Sequence, residues 1–389
     1  KKNSAVINRV ATIVENSGTV NLGLMAGFYK RVVWVIPYPG SISDLPLENF
    51  KQALSQGRGF PAGELADLTM KGKHITGTLA GVPLTVTSLG DLEIAEGEKA
   101  LLDIDLAYFT GMQSSSKGYQ PGTASLLDFL EKIRDAGIPA IMATINRSTG
   151  KRSSPLDIRY FAEIIEETLR DPSLLGEESG SRYSRMIKAE EALVTGRYGE
   201  AATIYSALTG EWPDKAGLHF SHAFALGFSD RGTESSEALV KAYAIDVNYI
   251  KGFFQLARVL GANGHVEAGE ALLEAPDLRN TLPRVEVDYQ RGLFYFESQL
   301  YDQAKDILED VAKMRPADFA LRTILYRVYL ELDDREKMQR TLYKLVDLDE
   351  NRVVRDMPWA FKELGDLSLE SGSETMAVKW YRKYLLTNP

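Results

Sequence analysis

Two carboxylates one residue apart, Asp103 and Asp105, stand inside the otherwise apolar run Leu101–Leu106. Strand alternation puts both on one face, and two like charges there call for a cation or a donor to meet them. The economical place for such a pair is the C-terminal end of a parallel strand, where open α/β sheets bind ligands. A divalent metal, manganese or zinc, is one partner this predicts, and helix capping or pairing with Arg147 is the other. His219 and His222 share a helix face, which is compatible with a metal, but no third ligand is fixed beside them and packing is the plainer expectation. Ser148–Arg152 holds a Gly-Lys pair without the rest of a phosphate loop, and no G-x-G-x-x-G, G-x-S-x-G or H-E-x-x-H occurs. With no cysteine in the chain, a thiolate nucleophile and a disulfide framework are both excluded.

The carboxylate pair needs a sheet to hold it. Val32–Ile36, Val82–Ser88, Leu101–Phe109 and Ile138–Ile145 are short, apolar and bounded by Gly or Pro, as strands are. Between the last two, Thr123 can cap a helix whose apolar stripe is Leu126, Leu127, Leu130 and Ile133, with Gly137 closing it. Strand, helix, strand at this spacing is a right-handed βαβ unit, and an apolar strand such as Leu101–Leu106 fits a parallel sheet covered on both faces. The N-terminal residues, about 1–170, therefore read as an α/β domain. Ser114–Gly118 would be a loop able to cover the carboxylates. From Ser154-Pro155 helical periodicity takes over through Ile158, Phe161, Ile164, Ile165 and Leu169, and Pro172–Ser181 has the composition of a linker.

Beyond it the chain repeats. Ala189, Gly292 and Gly365 are each followed twelve residues later by Ala (Ala201, Ala304, Ala377) and sixteen later by Tyr205, Leu308 or Tyr381. Pro213, Pro316 and Pro389 end the three blocks. Weaker copies place further anchors at Ala238, Ala268 and Met338, giving spacings of 37, 30, 36, 34 and 39. This pattern resembles the tetratricopeptide repeat, two antiparallel helices in a unit of about 34 residues. The resemblance implies an all-α solenoid of about six repeats over 183–389, with a groove of first helices that binds a protein or peptide. Candidate groove residues are Arg185, Lys188, His219, His222, Gln255, Arg258, Gln290, Arg291, Tyr326, Arg327 and Lys362.

A second resemblance covers the N-terminal part. Val32–Pro37, Leu101–Phe109 and Ala143–Ser148 look like successive strands of the uncharacterised UPF0489 branch of the arginase/histone-deacetylase superfamily. That resemblance implies a three-layer α/β/α fold, with Asp103 and Asp105 as metal ligands for hydrolysis of an amide or amidine. The family's Asp-x-His-x-Asp loop has no counterpart, since His74 is the single histidine before residue 156. The domain therefore reads as degenerate, or its ligand loop lies upstream of Lys1.

Composition sets the remaining bounds. The 389 residues carry a net charge of -9, but residues 1–155 hold 16 basic against 14 acidic side chains, while 156–389 hold 29 against 40. The acidic half should repel phosphate and the other half shows no basic stripe, so nucleic acid is not expected as a partner. No run approaches the roughly 18 apolar residues of a membrane span. A soluble chain is expected, cytoplasmic or exported after removal of an N-terminal segment, since the sequence starts Lys1-Lys2 without a Met. Three functions stay open: a scaffold that recruits a protein partner, a metal-dependent hydrolase whose repeats select substrate, and a structural assembly subunit.

Overall fold

The computed structural model describes residues 26–36, 41–56, 62–94, 99–109, 122–146, 148–149, 152–153, 156–175 and 177–387. The chain divides into two compact units, 1–221 and 222–389.

In the first unit, β1 (Val32–Val35) is followed by helices α1 (Leu47–Gln56) and α2 (Ala62–Ala66), and then by β2 (Thr69–Lys71), β3 (His74–Leu79) and β4 (Val82–Thr87). These strands form one sheet in the order β1-β4-β3-β2, in which β1 pairs parallel to β4 and the other pairs are antiparallel. Ala80 and Gly81 both take positive φ, so a two-residue turn joins β3 to β4 with the twist that hairpins need. Ile42, Leu65, Leu68, Ile75, Leu84 and Val86 form the core beneath. β2 escapes a sequence reading because it is three residues long, and β3 because its pattern is interrupted by Gly77. Its place is fixed by packing, since a Cβ there would lie 2.7 Å from Leu68 Cδ2.

A second, two-stranded sheet pairs β5 (Ala100–Asp105) parallel to β6 (Ala140–Asn146), with α3 (Gly122–Asp135) between them in sequence. This is the expected strand-helix-strand unit. Leu126, Leu130 and Ile133 are buried, and Gly137 closes the helix at positive φ. Three expectations change. Strand β5 stops at Asp105, and Leu106–Phe109 is a 3-10 turn whose Phe109 ring meets Phe129 and Phe161. The described strands form two sheets plus a short hairpin of β7 (Ser148–Thr149) and β8 (Arg152–Ser153), in place of the single sheet that a three-layer α/β/α fold requires. Nor is the pair covered on both faces: Ile141 is 70% and Met142 55% exposed, on opposite sides of β6.

Helix α4 (Phe161–Arg170) follows a 3-10 turn at Leu156–Ile158 and buries Phe161, Ile164 and Ile165. The expected linker is instead a 3-10 turn, Pro172–Leu175, and the first turns of α5 (Glu177–Val194). α6 (Tyr198–Glu211) pairs with α5, and α7 (Ala216–Phe228) begins the next pair.

The second unit continues with α8 (Gly232–Ile245), α9 (Gly252–Ala262), α10 (Val266–Leu273), the short α11 (Pro276–Thr281), α12 (Arg284–Glu297) and α13 (Tyr301–Met314). It ends with α14 (Phe319–Glu331), α15 (Arg335–Asp356), α16 (Ala360–Glu370) and α17 (Glu374–Thr387). The backbone marks the register of the repeat. Gly196, Asp230, Gly264, Gln299, Asp333 and Gly372 all take positive φ, each at the turn between the helices of a pair. The next N–H in each turn reaches back to a carbonyl of the first helix: Arg197 to Ala192, Arg231 to Leu226, His265 to Leu260, Leu300 to Tyr295, Asp334 to Tyr329 and Ser373 to Ser368. Six Schellman turns therefore recur at spacings of 34, 34, 35, 34 and 39.

Five residues after each turn stands the anchor of the second helix: Ala201, Ser235, Gly269, Ala304, Met338 and Ala377. Two anchors read from sequence are thereby corrected. Ser235, not Ala238, fills the second crossing, and its buried hydroxyl donates to the Ala223 carbonyl at 2.7 Å. In the third crossing Gly269 replaces Ala268, because a Cβ at Gly269 would sit 3.0 Å from the Ala257 carbonyl. The last interval is longer because α15 kinks at Asp349, whose carboxylate caps a new helical start at the Arg352 N–H.

Candidate functional site

Twelve residues before each anchor stands its first-helix counterpart: Ala189, Ala223, Ala257, Gly292, Tyr326 and Gly365. Here the two helices touch. A Cβ on Gly292 would meet Leu308 at 2.3 Å, and one on Gly365 would meet Tyr381 at 2.5 Å. At about 100° per residue, the positions one, four and five residues further on lie roughly 100°, 40° and 140° round the first helix from the crossing, on one side of it. In the second unit the fifth position reads Phe228, Ala262, Glu297, Glu331 and Glu370, all exposed. The fourth turns outward towards the end of the chain, at Leu330 (46% exposed) and Leu369 (53%). Trp359, six before Gly365, falls on the same side, is 43% exposed and packs its ring 5.4 Å from Tyr326.

The residues expected from sequence to line a groove do not share one face. Arg258, Arg327 and Lys362 lie on the face just described, and each is engaged. Arg258 grips Glu297 through two nitrogens, Arg327 lies 4.9 Å over the Phe296 ring, and Lys362 holds Asp366 at 2.7 Å. Gln255 is exposed at the edge of that face, and Gln290 donates to Glu286 at 3.1 Å. Arg291, one residue before its crossing, points round the helix and lies 3.6 Å from Glu274. His222 is half-buried at the same helical position in its own repeat, and Tyr326 is buried at the crossing. Burial pushes the Tyr326 hydroxyl up to about 12, out of the titrating range at neutral pH.

In the first unit, Lys188 is exposed. His219 is buried and its Nε2 sits 3.0 Å from the Pro213 carbonyl, which is a packing role. Arg185 makes a bidentate pair with Glu211 at 2.6 and 2.7 Å and lies over Trp212. Around it the structure assembles a clasp that the sequence did not suggest. Glu167 of α4 accepts from Lys215 at 2.5 Å and from Arg182 at 3.0 Å, and Arg182 lies 5.1 Å over Trp212. A cavity of about 30 Å³ remains beside them, room for about one water. Burial alone would raise the Glu167 carboxyl, but the hydrogen bonds and charges of Lys215 and Arg182 hold it below its ordinary range.

Asp103 and Asp105 do share a face of β5, and both are exposed. The Thr144 hydroxyl donates to Asp103, and Asn146 Nδ2 donates to Asp105 at 3.3 Å. Register explains these contacts, since Asp103 pairs with Thr144 and Asp105 with Asn146 across the parallel ladder. Hydroxyl and amide donors thus meet the charges, and among the described residues no group of three His, Asp or Glu is placed to hold a metal. Arg147 and Ser114–Gly118 lie outside the described residues.

No protein-family model and no curated protein matches the chain. Among solved structures, MamA AMB-1 is 20% identical over 43% of this chain and 89% of its own, with a TM-score of 0.32. MamA from Desulfovibrio magneticus RS-1, residue 41 to its end, is 19% identical over 44% and 94%, also at 0.32. Another MamA structure is 14% identical over 51% and 93%, at 0.27. Likenesses this weak say nothing of what this chain binds. No described helix is long and apolar enough to cross a membrane.

Trp359, Leu330, Leu369, Glu331 and Glu370 were absent from the sequence-based set. The signal that could have found them is the repeat register itself, because each occupies a fixed offset from Tyr326 or Gly365.

Proposed function

We propose that the paired helices form a tetratricopeptide-type scaffold that binds a protein or peptide partner along the face of its first helices. The observation supporting this is the register itself: equivalent positions of successive first helices stay exposed, and Leu330, Trp359 and Leu369 present large apolar side chains there. This reading gives Asp103 and Asp105 a structural part, in which Thr144 and Asn146 meet their charges.

Charge reversal at Arg258 or Arg291 is a poor probe, because each would break a pair within the scaffold. A photo-cross-linking residue at Leu369 of the full chain, compared in cells with one at the exposed second-helix residue Asp310, separates the faces. The expected result is a discrete partner adduct from position 369 alone. Equal adducts from both positions, or none from 369, would overturn the proposal.

A further inference from the structure

We infer that the face formed by α14 and α16 takes a segment that is both apolar and positively charged, such as a stretch of Leu or Phe flanked by Lys or Arg. This rests on the binding face proposed above and names the chemistry of its occupant.

The primary feature is the apolar row. Leu330 and Leu369 hold the same position of consecutive repeats, and Trp359, about 15 Å along α16 from Leu369, packs against Tyr326, one turn before Leu330. Charge then selects the occupant. On the same two helices Glu331, Glu363 and Glu370 make no ion pair within the described residues. The cations close enough to neutralise them are committed elsewhere: Lys362 to Asp366 at 2.7 Å, Arg335 to Asp333 at 2.7 Å, and Arg327 to the Phe296 ring. Glu363 is partly buried, and its carboxyl is pushed above its ordinary value, first by burial and then by Asp366, with a smaller push from Glu370, against the opposing pull of Arg335 and Lys362. Three acids with no cation in direct ion-pair contact, beside exposed apolar side chains, disfavour an acidic segment, whose carboxylates would meet Arg327, Arg335 and Lys362 already engaged. A second copy of this acidic half would meet the same repulsion.

The full chain, immobilised, is challenged with a phage-displayed library of peptides of about 12 residues, long enough to cross two repeats. Enriched peptides should carry net positive charge and at least one large apolar residue. They should bind about tenfold or more weakly to Glu331→Lys/Glu370→Lys and to Leu330→Ser/Leu369→Ser, and lose affinity as salt rises. The four sites are exposed, and circular dichroism checks that each variant is folded, with Glu331→Gln/Glu370→Gln as the milder charge test. Enriched peptides that are neutral or acidic but still depend on Leu330 and Leu369 would overturn the charge assignment and leave the face standing. No enrichment over an uncoated surface, or binding indifferent to both variants, would overturn both.

Discussion

A single backbone position recurs six times and is filled in two ways. Gly196, Gly264 and Gly372 take the left-handed turn freely, whereas Asp230, Gln299 and Asp333 take it with a side chain attached. Asp tolerates this conformation better than Gln, because a short polar side chain can bond locally. Gln299→Gly should therefore stabilise the chain by about 1 kcal/mol, read as a raised denaturant midpoint with unchanged slope. An unchanged or lowered midpoint would show that the turn is not strained. The crossing residues predict the opposite sign. Gly365→Ala drives a methyl to 2.5 Å from the Tyr381 ring, and Tyr381 is tied through its hydroxyl to Asp366 at 2.7 Å. A loss of roughly 1 to 3 kcal/mol is expected from overpacking. The small residues at 189, 292 and 365 were legible in the sequence because twelve- and sixteen-residue offsets repeat. Ser235 and Gly269 were not, because Ala238 and Ala268 stood close by and look more like the consensus.

Elements show where local pattern and tertiary context part. Helix α4 reads as amphipathic from sequence, yet its acidic side has a specific purpose: Glu167 meets Lys215 and Arg182, residues 48 and 15 positions away. Since the folded carboxyl titrates below its ordinary value of 4.5, its contribution is present above that pH and is lost as pH falls through the folded value. Glu167→Gln should cost roughly 1 kcal/mol at neutral pH, partial exposure having screened the pair. That deficit should shrink when unfolding is measured well below pH 4.5. A deficit independent of pH would mean that shape, not charge, holds the clasp. Strand β5 teaches the complementary lesson. Its carboxylate pair was visible as an oddity, but β6 supplied Thr144 and Asn146 through the parallel register, and spacing alone could not choose those donors over a metal.

At the scale of the whole molecule, helix pairs that contact mainly their neighbours should tolerate loss of an end. Removing residues 358–389 takes away Trp380, whose ring packs 5.6 Å from Tyr343 of α15, and Ser368, which Gln339 of α15 reaches at 3.3 Å. Helical circular dichroism should fall roughly in proportion to the helices removed, with the remaining array still unfolding cooperatively. Collapse of most helicity would show that stability is shared globally and not between neighbours. The division of labour between sequence and structure follows from range. Periodicity, small-residue spacing and the confinement of acidic charge to one half are properties of neighbours along a chain. They determined by themselves that short strands give way to repeated helices and where most repeats begin. The open sides of β6, the engagement of Arg258, Arg327 and Lys362 on the first-helix face, and the exposure of Leu330, Trp359 and Leu369 depend on which distant residues arrive beside them. Packing alone decides this, because a side chain is buried, neutralised or left free only by neighbours that the fold brings to it.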